Sequence, residues 1–390
     1  MPFVSTLNQF EGSFDVPCTH RVIFERDALS TGVHLHAMLS NGDTSTRSLA
    51  VLDAGLVDAA PDLCDRVQAF FDTHTETLEL VSPPLVLQGG EAAKHGLEPV
   101  TVPVIEAIRA GGICRHSNVL AIGGGAFLDA AGLGASLAHR GVRLVRMPST
   151  TLAQGDAGVG VKNGVNQVGV EGGKNLIGTF DVPAGVLNDV TLLTTLDDVH
   201  WRSGLAEAIK VALIMDADFL AWIEHQCEAL VARDLNVMEA LLTKTAQMHL
   251  RHITDGGDPF ERTMARPLDF GHWTAHELES RSGWTVPHGE AVALGMCVDL
   301  RLGEAMGLTA SGLTDRVELV LRRLGFLQCH IGTTSIDDLM RGLEHFRQHL
   351  GGHLTICMIE VPGRSIDIHT VDSQLAVQAL HDVFDALPCG

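Results

Sequence analysis

Two histidines four residues apart, His272 and His276 in DFGHWTAHELE, fall on one face of a helix, and a third, His288, opens the apolar run VPHGEAVALGM. Three neutral imidazoles, or two with a carboxylate, make a zinc site that keeps a position open for substrate. The chain has 20 histidines, enough to give about one such pair by chance, so the surroundings must decide. His272 follows Phe270–Gly271 and His288 begins an apolar helix, settings in which a polar group needs a partner. A rival trio, His345, His349 and His353, lies among polar residues, with Gly351 and Gly352 breaking its helix before the third member; it reads as a solvated face. Glu207, set among the small apolar residues of SGLAEAIK, is the natural carboxylate candidate, and its alternative role is a buried ion pair with a nearby cation.

Lysine is scarce: only Lys94, Lys162, Lys174, Lys210 and Lys244 occur, against 22 arginines. Three of them lie in VGVKNGVN, EGGKNLIG and SGLAEAIK, whereas only Lys244, on the amphipathic stretch 234–253, reads as a solvated surface lysine. The others read as ammonium groups aimed at an anion or a hydroxyl. The run NVLAIGGGAFLDAAG, residues 118–132, is an apolar strand, three glycines and a helix, which lets backbone N–H groups and a helix N-terminus approach a pyrophosphate. A tight turn with close helix packing would use the same glycines, and Asp129, placed in the first helical turn, would then simply complement the helix dipole. Asp53 ends a strand, where a carboxylate can bind a ribose hydroxyl pair, and GGEAAKHG puts Glu91 and Lys94 after another.

Holding these groups in place requires a scaffold. The runs SLAVLD (48–53), PPLVLQ (83–88), NVLAIGGG (118–125), RLVRMPS (143–149) and AGVLND (184–189) read as buried parallel strands, with helical spacing between them at 55–71, 100–110 and 127–139. From about Leu192 the strand signals largely stop, and amphipathic stretches follow at 201–225, 234–253, 272–282, 288–307, 311–325 and 373–387. The expected architecture is a Rossmann-like parallel-sheet α/β domain over residues 1–191 and an all-α, helical metal-binding domain over 192–390. The least regular segments, 162–180 and 254–270, are long polar loops of the kind that often carry function.

A length of 390 residues fits two domains, and 27 basic against 48 acidic side chains give a net charge of −21. Such a chain repels nucleic-acid phosphates and anionic lipid heads. An anionic substrate would therefore require the few cations to be gathered at its site. Eight cysteines with no CxxC pair argue against a zinc ribbon or a disulfide framework and fit a reducing cytoplasm. With no basic segment followed by an apolar run at the start and no apolar run of spanning length, the expectation is an unprocessed, soluble protein.

Taken in order, GGGAFLDAAG, RGVRLVRMPSTTLAQGDAGVGVKNGVN, GGKNLIGTF, SGLAEAIK, GHWTAHELE and PHGEAVALGM resemble the 3-dehydroquinate synthase family of sugar phosphate cyclases, over about residues 53 to 354. The resemblance implies NAD in the N-terminal domain, a divalent metal, zinc with cobalt as a substitute, in the helical domain, and a sugar phosphate between them. It assigns Glu207, His272 and His288 as metal ligands and moves His276 to the substrate side. Asp156, Lys162, Lys174, Asn175 and Lys210 match substrate-pocket positions, and Arg140 matches an arginine that reaches a phosphate from the neighbouring subunit of a homodimer. Asp53, Glu91, Lys94, Gly124, Gly125, Asp129, Ser149 and Thr150 match cofactor positions, which Lys162 and Asn175 share. The implied reaction oxidises a ring carbinol, eliminates phosphate, reduces the ketone again and closes the opened product to a carbocycle by an intramolecular aldol step, so NAD is not consumed.

The chain departs from the family pattern around GGDPFERTMARP, residues 256–267. In this loop Glu261 and Arg266 are substrate-side candidates, but the position of the carboxylate-binding arginine is Ala265. A substrate-binding lysine position is Arg251, an asparagine position is Asp269, and the lysine loop is three residues longer through QVGVEGG. The expected substrate is a phosphorylated seven-carbon ketose acid. The alternative is sedoheptulose 7-phosphate, which has no carboxylate; cyclases of that valiolone type often carry proline where this chain has His276. A metal-dependent polyol or glycerol dehydrogenase is the alternative of another class, and the GGK–N and SGLAEAIK patterns with Arg140 argue against it.

Overall fold

A computed structural model describes residues 4–6, 9–42, 45–167, 174–256, 259–260, 267–328, 334–349 and 352–387. Its centre is a seven-stranded sheet in the order Val22–Phe24, Gly185–Asn188, Arg143–Pro148, Asn118–Gly123, Thr46–Asp53, Leu78–Leu80, with Leu85–Leu87 also paired to Thr46–Asp53. Every pairing in it is parallel. Alternate residues of one strand feed opposite cores: Leu49 and Val51 pack with Val104, Ile108 and Phe127 on one face, while Ala50 and Leu52 pack with Leu39, Val67 and Phe70 on the other. Because both faces are covered, the strands are continuously apolar. A third core runs from Val190 to Phe384 and is built almost wholly from helices.

Asp53, Gly123 and Pro148 stand at the carboxyl ends of three adjacent strands, held in register by the Leu52–Ile122 and Gly123–Pro148 pairings. In open α/β sheets that edge is where ligands bind. The helical half opens with Asp198–Met215, and Thr151 joins it to the sheet: its Oγ1 donates to the His200 carbonyl at 2.9 Å and accepts from the Gly204 amide at 3.1 Å. A Cβ on Gly204 would lie 2.5 Å from the Thr151 carbonyl carbon, so only glycine lets the backbones meet here.

Several elements differ from the sequence expectation. The stretch 55–71 is two helices, Ala54–Ala59 and Leu63–Thr73, separated around Pro61. The stretch 201–225 is broken at Asp216, whose extended backbone ends one helix and whose side chain caps the next. The irregular segment 162–180 contains an antiparallel pair, Lys162–Val165 with Ile177–Phe180, and the helical half contains another, Ile356–Val361 with Arg364–Ile368. Asp129 is the fifth residue of the helix Gly125–Leu137, beyond its first turn, so a simple dipole role does not apply.

Candidate metal and cofactor site

Three elements converge on one cluster. Glu207 and Lys210 lie a turn apart on the helix Asp198–Met215, His272, His276 and Glu279 lie on the helix His272–Arg281, and His288 is the first residue of the helix His288–Ala305. Glycine contacts set their approach: a Cβ on Gly289 would sit 2.5 Å from Ser203 Cα, and one on Gly295 would sit 2.0 Å from the Gly271 oxygen. As a result, Glu207 Oε1 lies 3.2 Å from His288 Nε2 and 3.7 Å from His272 Nε2. One donor atom from each of the three lies within 4.8 Å of the others, the only such group of three among the described residues.

The electrostatics follow from charges taken out of water. Burial alone would raise the Glu207 carboxyl, but the Lys210 ammonium, with which it forms an ion pair, and His288 bring it down to about 2. Burial alone would lower His288, but Glu279 and the hydrogen bond to Glu207 raise it to about 9, so in the metal-free protein this ring carries the proton a cation would replace. His276 packs edge-on to His272 at 5.2 Å and is held neutral by burial and the Lys174 charge. Asp156, on the turn Ala153–Ala157, accepts from His249 Nδ1 at 2.8 Å; this contact and Lys210 outweigh burial and hold its carboxyl below the usual range.

A second group lies on the sheet side. Lys94 Nζ donates to Asp129 Oδ2 at 2.7 Å and to Asn175 Oδ1 at 2.6 Å. Asn166 stitches this group together, accepting from the Asn175 amide at 2.9 Å and donating to Glu91 Oε1 at 3.1 Å. Next to it the helix Gly125–Leu137 begins at Gly124 with no side-chain cap, leaving its first amides exposed to a ligand. A Cβ on Gly124 would meet Thr150 at 3.3 Å, and one on Gly89 would overlap the Asp53 carboxylate. Asp53 Oδ1 accepts from the Gly55 and Leu56 amides, and the Ser149 amide donates to the Gly123 carbonyl.

Lys162, Arg140 and Arg251 are exposed, and Asp269 is half-buried beside Lys210. Glu261 and Arg266, with Ala265, lie outside the described residues. Four residues escaped the sequence reading: Glu279, His249, Asn166 and Arg146. Glu279 was within reach, being seven residues from His272 on the same helix face. His249 and Arg146 gave no signal, since their partners are set by tertiary contacts.

Both halves of the chain match family models of sugar phosphate cyclases, which are phosphorus–oxygen lyases, and the parallel sheet with its glycine loop and the helical body with its buried Glu207–His272–His288 cluster are consistent with that class. Residues 84–203 match the family model for the 3-dehydroquinate synthase N-terminal part and residues 204–347 that for its C-terminal part. The chain belongs to the 3-dehydroquinate synthase family. It is 35% identical to a 3-dehydroquinate synthase of Pyrobaculum islandicum over 287 residues, 73% of this chain and 81% of that one. It is 37% identical to a 2-epi-valiolone synthase of Actinosynnema mirum over 246 residues, 62% of this chain and 63% of that one. Among solved structures it is similar to the 2-epi-5-epi-valiolone synthase of Streptomyces hygroscopicus subsp. jinggangensis with NAD+ and Zn2+ bound, with a TM-score of 0.85, 28% identity and coverage of 96% and 99% of the two chains.

Proposed function

We propose that this enzyme converts a phosphorylated seven-carbon ketose acid to a carbocyclic ketone with release of phosphate, using NAD and a divalent ion, zinc or cobalt. The observation that carries this reading is the joining of a buried Glu207–His272–His288 cluster to an uncapped glycine-loop helix, with three of the five lysines drawn into ion pairs between and beside them. Two imidazoles and a carboxylate suit zinc and leave a position open for substrate. When bound, the ion acts as a Lewis acid toward the carbinol oxygen, and the nicotinamide takes and returns one hydride.

The chain's own groups bind and orient the substrate. Lys174 and Lys210 supply the positive charge that a sugar phosphate requires in an otherwise acidic protein. Asp156, kept ionised, accepts hydroxyls, and the neutral His276 can give or take a proton at the substrate face. Gly124, Gly125 and Thr150 hold the dinucleotide phosphates, Asp53 its ribose, and the Lys94–Asp129–Asn175 triad, with Glu91, Lys162 and Ser149, borders the nicotinamide end. Arg140 reaches the phosphate of a second subunit, so the active unit is a homodimer. The unpaired thiols among the described cysteines suit a reducing cytoplasm.

A second reading, cyclisation of sedoheptulose 7-phosphate, is favoured by Ala265 at the carboxylate-binding position and by the likeness to a 2-epi-5-epi-valiolone synthase over nearly the whole chain. One experiment separates the readings: purified protein with zinc or cobalt and a trace of NAD is given each heptulose phosphate in turn while phosphate and nicotinamide absorbance are followed. The acid reading expects phosphate from the acid over many turnovers without matching NADH. Release only from sedoheptulose 7-phosphate establishes the second reading, and one NADH per phosphate points to a dehydrogenase.

A further inference from the structure

Glu279 is absent from the proposed ligand set, yet it is the carboxylate most tightly enclosed beside it, with a side chain only 4% exposed. Its two oxygens are divided between two partners: Oε1 accepts from His288 Nδ1 at 3.1 Å and Oε2 accepts from the Lys174 ammonium at 2.6 Å. On the other side of the same imidazole, Nε2 faces Glu207 Oε1 at 3.2 Å. Once a cation replaces the Nε2 proton, an imidazole that donates through Nδ1 is held in the tautomer whose Nε2 lone pair points at the cation site, and its ring can no longer turn away. Lys174 lies just before the strand Ile177–Phe180, and this ion pair anchors it to the helix His272–Arg281, with the Trp284 ring 5.9 Å from the ammonium.

We propose that Glu279 is a positioning residue that fixes the His288 ring and the Lys174 ammonium together, so that one carboxylate sets both a metal ligand and a substrate-side cation. The proposal rests on the reading of Glu207, His272 and His288 as ligands. Glutamine at 279 keeps the shape but offers a single acceptor to two donors, so one partner must be released. Removing a carboxylate of this kind lowers metal affinity by about 10–100-fold.

The test uses the full metal-free chain titrated with Co2+ against a competing chelator and read by the absorption of bound cobalt, without substrate or turnover. Glu279→Gln is expected to weaken Co2+ by about 10–100-fold, Glu279→Asp to give an intermediate loss, and Glu277→Gln to stay within about threefold of the unaltered chain. Glu277 is the internal comparison, a buried glutamate on the same helix that serves Arg281 and His345 instead. His288→Ala and Glu207→Ala are run alongside. If both keep Co2+, the ligand reading itself fails; if both lose it while Glu279→Gln binds as tightly as the unaltered chain, only the positioning role is overturned. Should Glu279→Gln not fold by circular dichroism, Glu279→Asp decides by the same comparison, since the shorter side chain cannot span both partners.

Discussion

At the scale of single residues, the site is an arrangement of charges that only partners make tolerable. Lys210 is 3% exposed and its main partner is Glu207, so removing that carboxylate leaves a buried ammonium with only the Asp156 and Asp269 carboxylates nearby. Breaking a buried pair from one side typically costs about 3–5 kcal/mol. Glu207→Gln is therefore expected to lower the urea midpoint and abolish metal uptake together, whereas Glu207→Gln with Lys210→Met should regain most of the stability but none of the metal. A double variant as unstable as the single one would show that Lys210 is not what the carboxylate supports. Much of this cluster was legible in the sequence, because His272 and His276 share a helix face and Glu207 sits among residues too small to shield it. What the sequence could not supply was which carboxylate faces which cation. Glu207 pairs within its own helix, but Glu279 reaches Lys174 and Asp156 reaches His249 only through the packing of separate elements.

At the scale of elements, two buried polar groups hold the segments that present the site. Arg146 is fully buried and donates to the carbonyls of Gly158, Gly160 and Lys162 and to Asn163 Oδ1, and so shapes the turn that follows Asp156. Arg146→Lys, with one ammonium for four acceptors, is expected to destabilise the chain by about 2–4 kcal/mol, given about 1–3 kcal/mol for each buried group left unpaired, and to raise KM more than it lowers kcat. Asp299 fixes the start of the histidine helix, accepting from the Gly271 amide at 2.8 Å and from Trp273 Nε1 at 2.6 Å, with the buried Cys357 thiol nearby. Burial raises its carboxyl to about 7 against these two donors. Between about pH 4 and 7 the folded chain thus keeps a proton that the unfolded chain releases, so this contribution to stability is complete below that window and is lost as the pH rises through 7. Asp299→Asn cannot titrate, and its stability relative to the unaltered chain should rise by on the order of 4 kcal/mol from pH 4 to 8. Urea midpoints that move in parallel across that range would contradict the assignment. Four strands of the sheet, Thr46–Asp53, Asn118–Gly123, Arg143–Pro148 and Gly185–Asn188, were readable because they are buried almost throughout, whereas the three-residue Leu85–Leu87 was readable only through the longer apolar run around it. The strands Val22–Phe24 and Leu78–Leu80 are three residues long, too short for a period to register, and the pair Lys162–Val165 with Ile177–Phe180 is glycine-rich and polar.

At the scale of the whole molecule, a net charge of −21 coexists with a site that must attract a phosphate, and three of the five lysines are drawn to that site. Among the exposed arginines, Arg140 is distinguished by its backbone. Arg140 is exposed just beyond the glycine-loop helix, on a turn in which His139, Arg140 and Gly141 all have positive φ, at 52°, 63° and 114°. Two non-glycine residues in that region carry strain of about 1–3 kcal/mol each, which a surface arginine serving only solvent would not need. Beside it Leu137, Ile177 and Phe180 are exposed, and Ser136 Oγ and Thr179 Oγ1, 2.8 Å apart, join the helix end to the hairpin strand. An arginine presented from an apolar rim is suited to a second copy of the chain, and the proposed homodimer, in which Arg140 would complete the partner's phosphate site, can be tested with two variants. The two variants Arg140→Ala and Glu207→Gln should each be inactive alone. In a dimer containing one of each, the subunit with intact Glu207 receives an intact Arg140 from the other, and the second site lacks both. Random exchange makes about half of the dimers mixed, each with one working site, so an equal mixture should recover about a quarter of the unaltered activity. Recovery that grows with time as subunits exchange would carry the shared site, whereas a mixture that stays inactive after exchange, verified by mass spectrometry of isotopically labelled subunits, would place Arg140 outside the partner's chemistry.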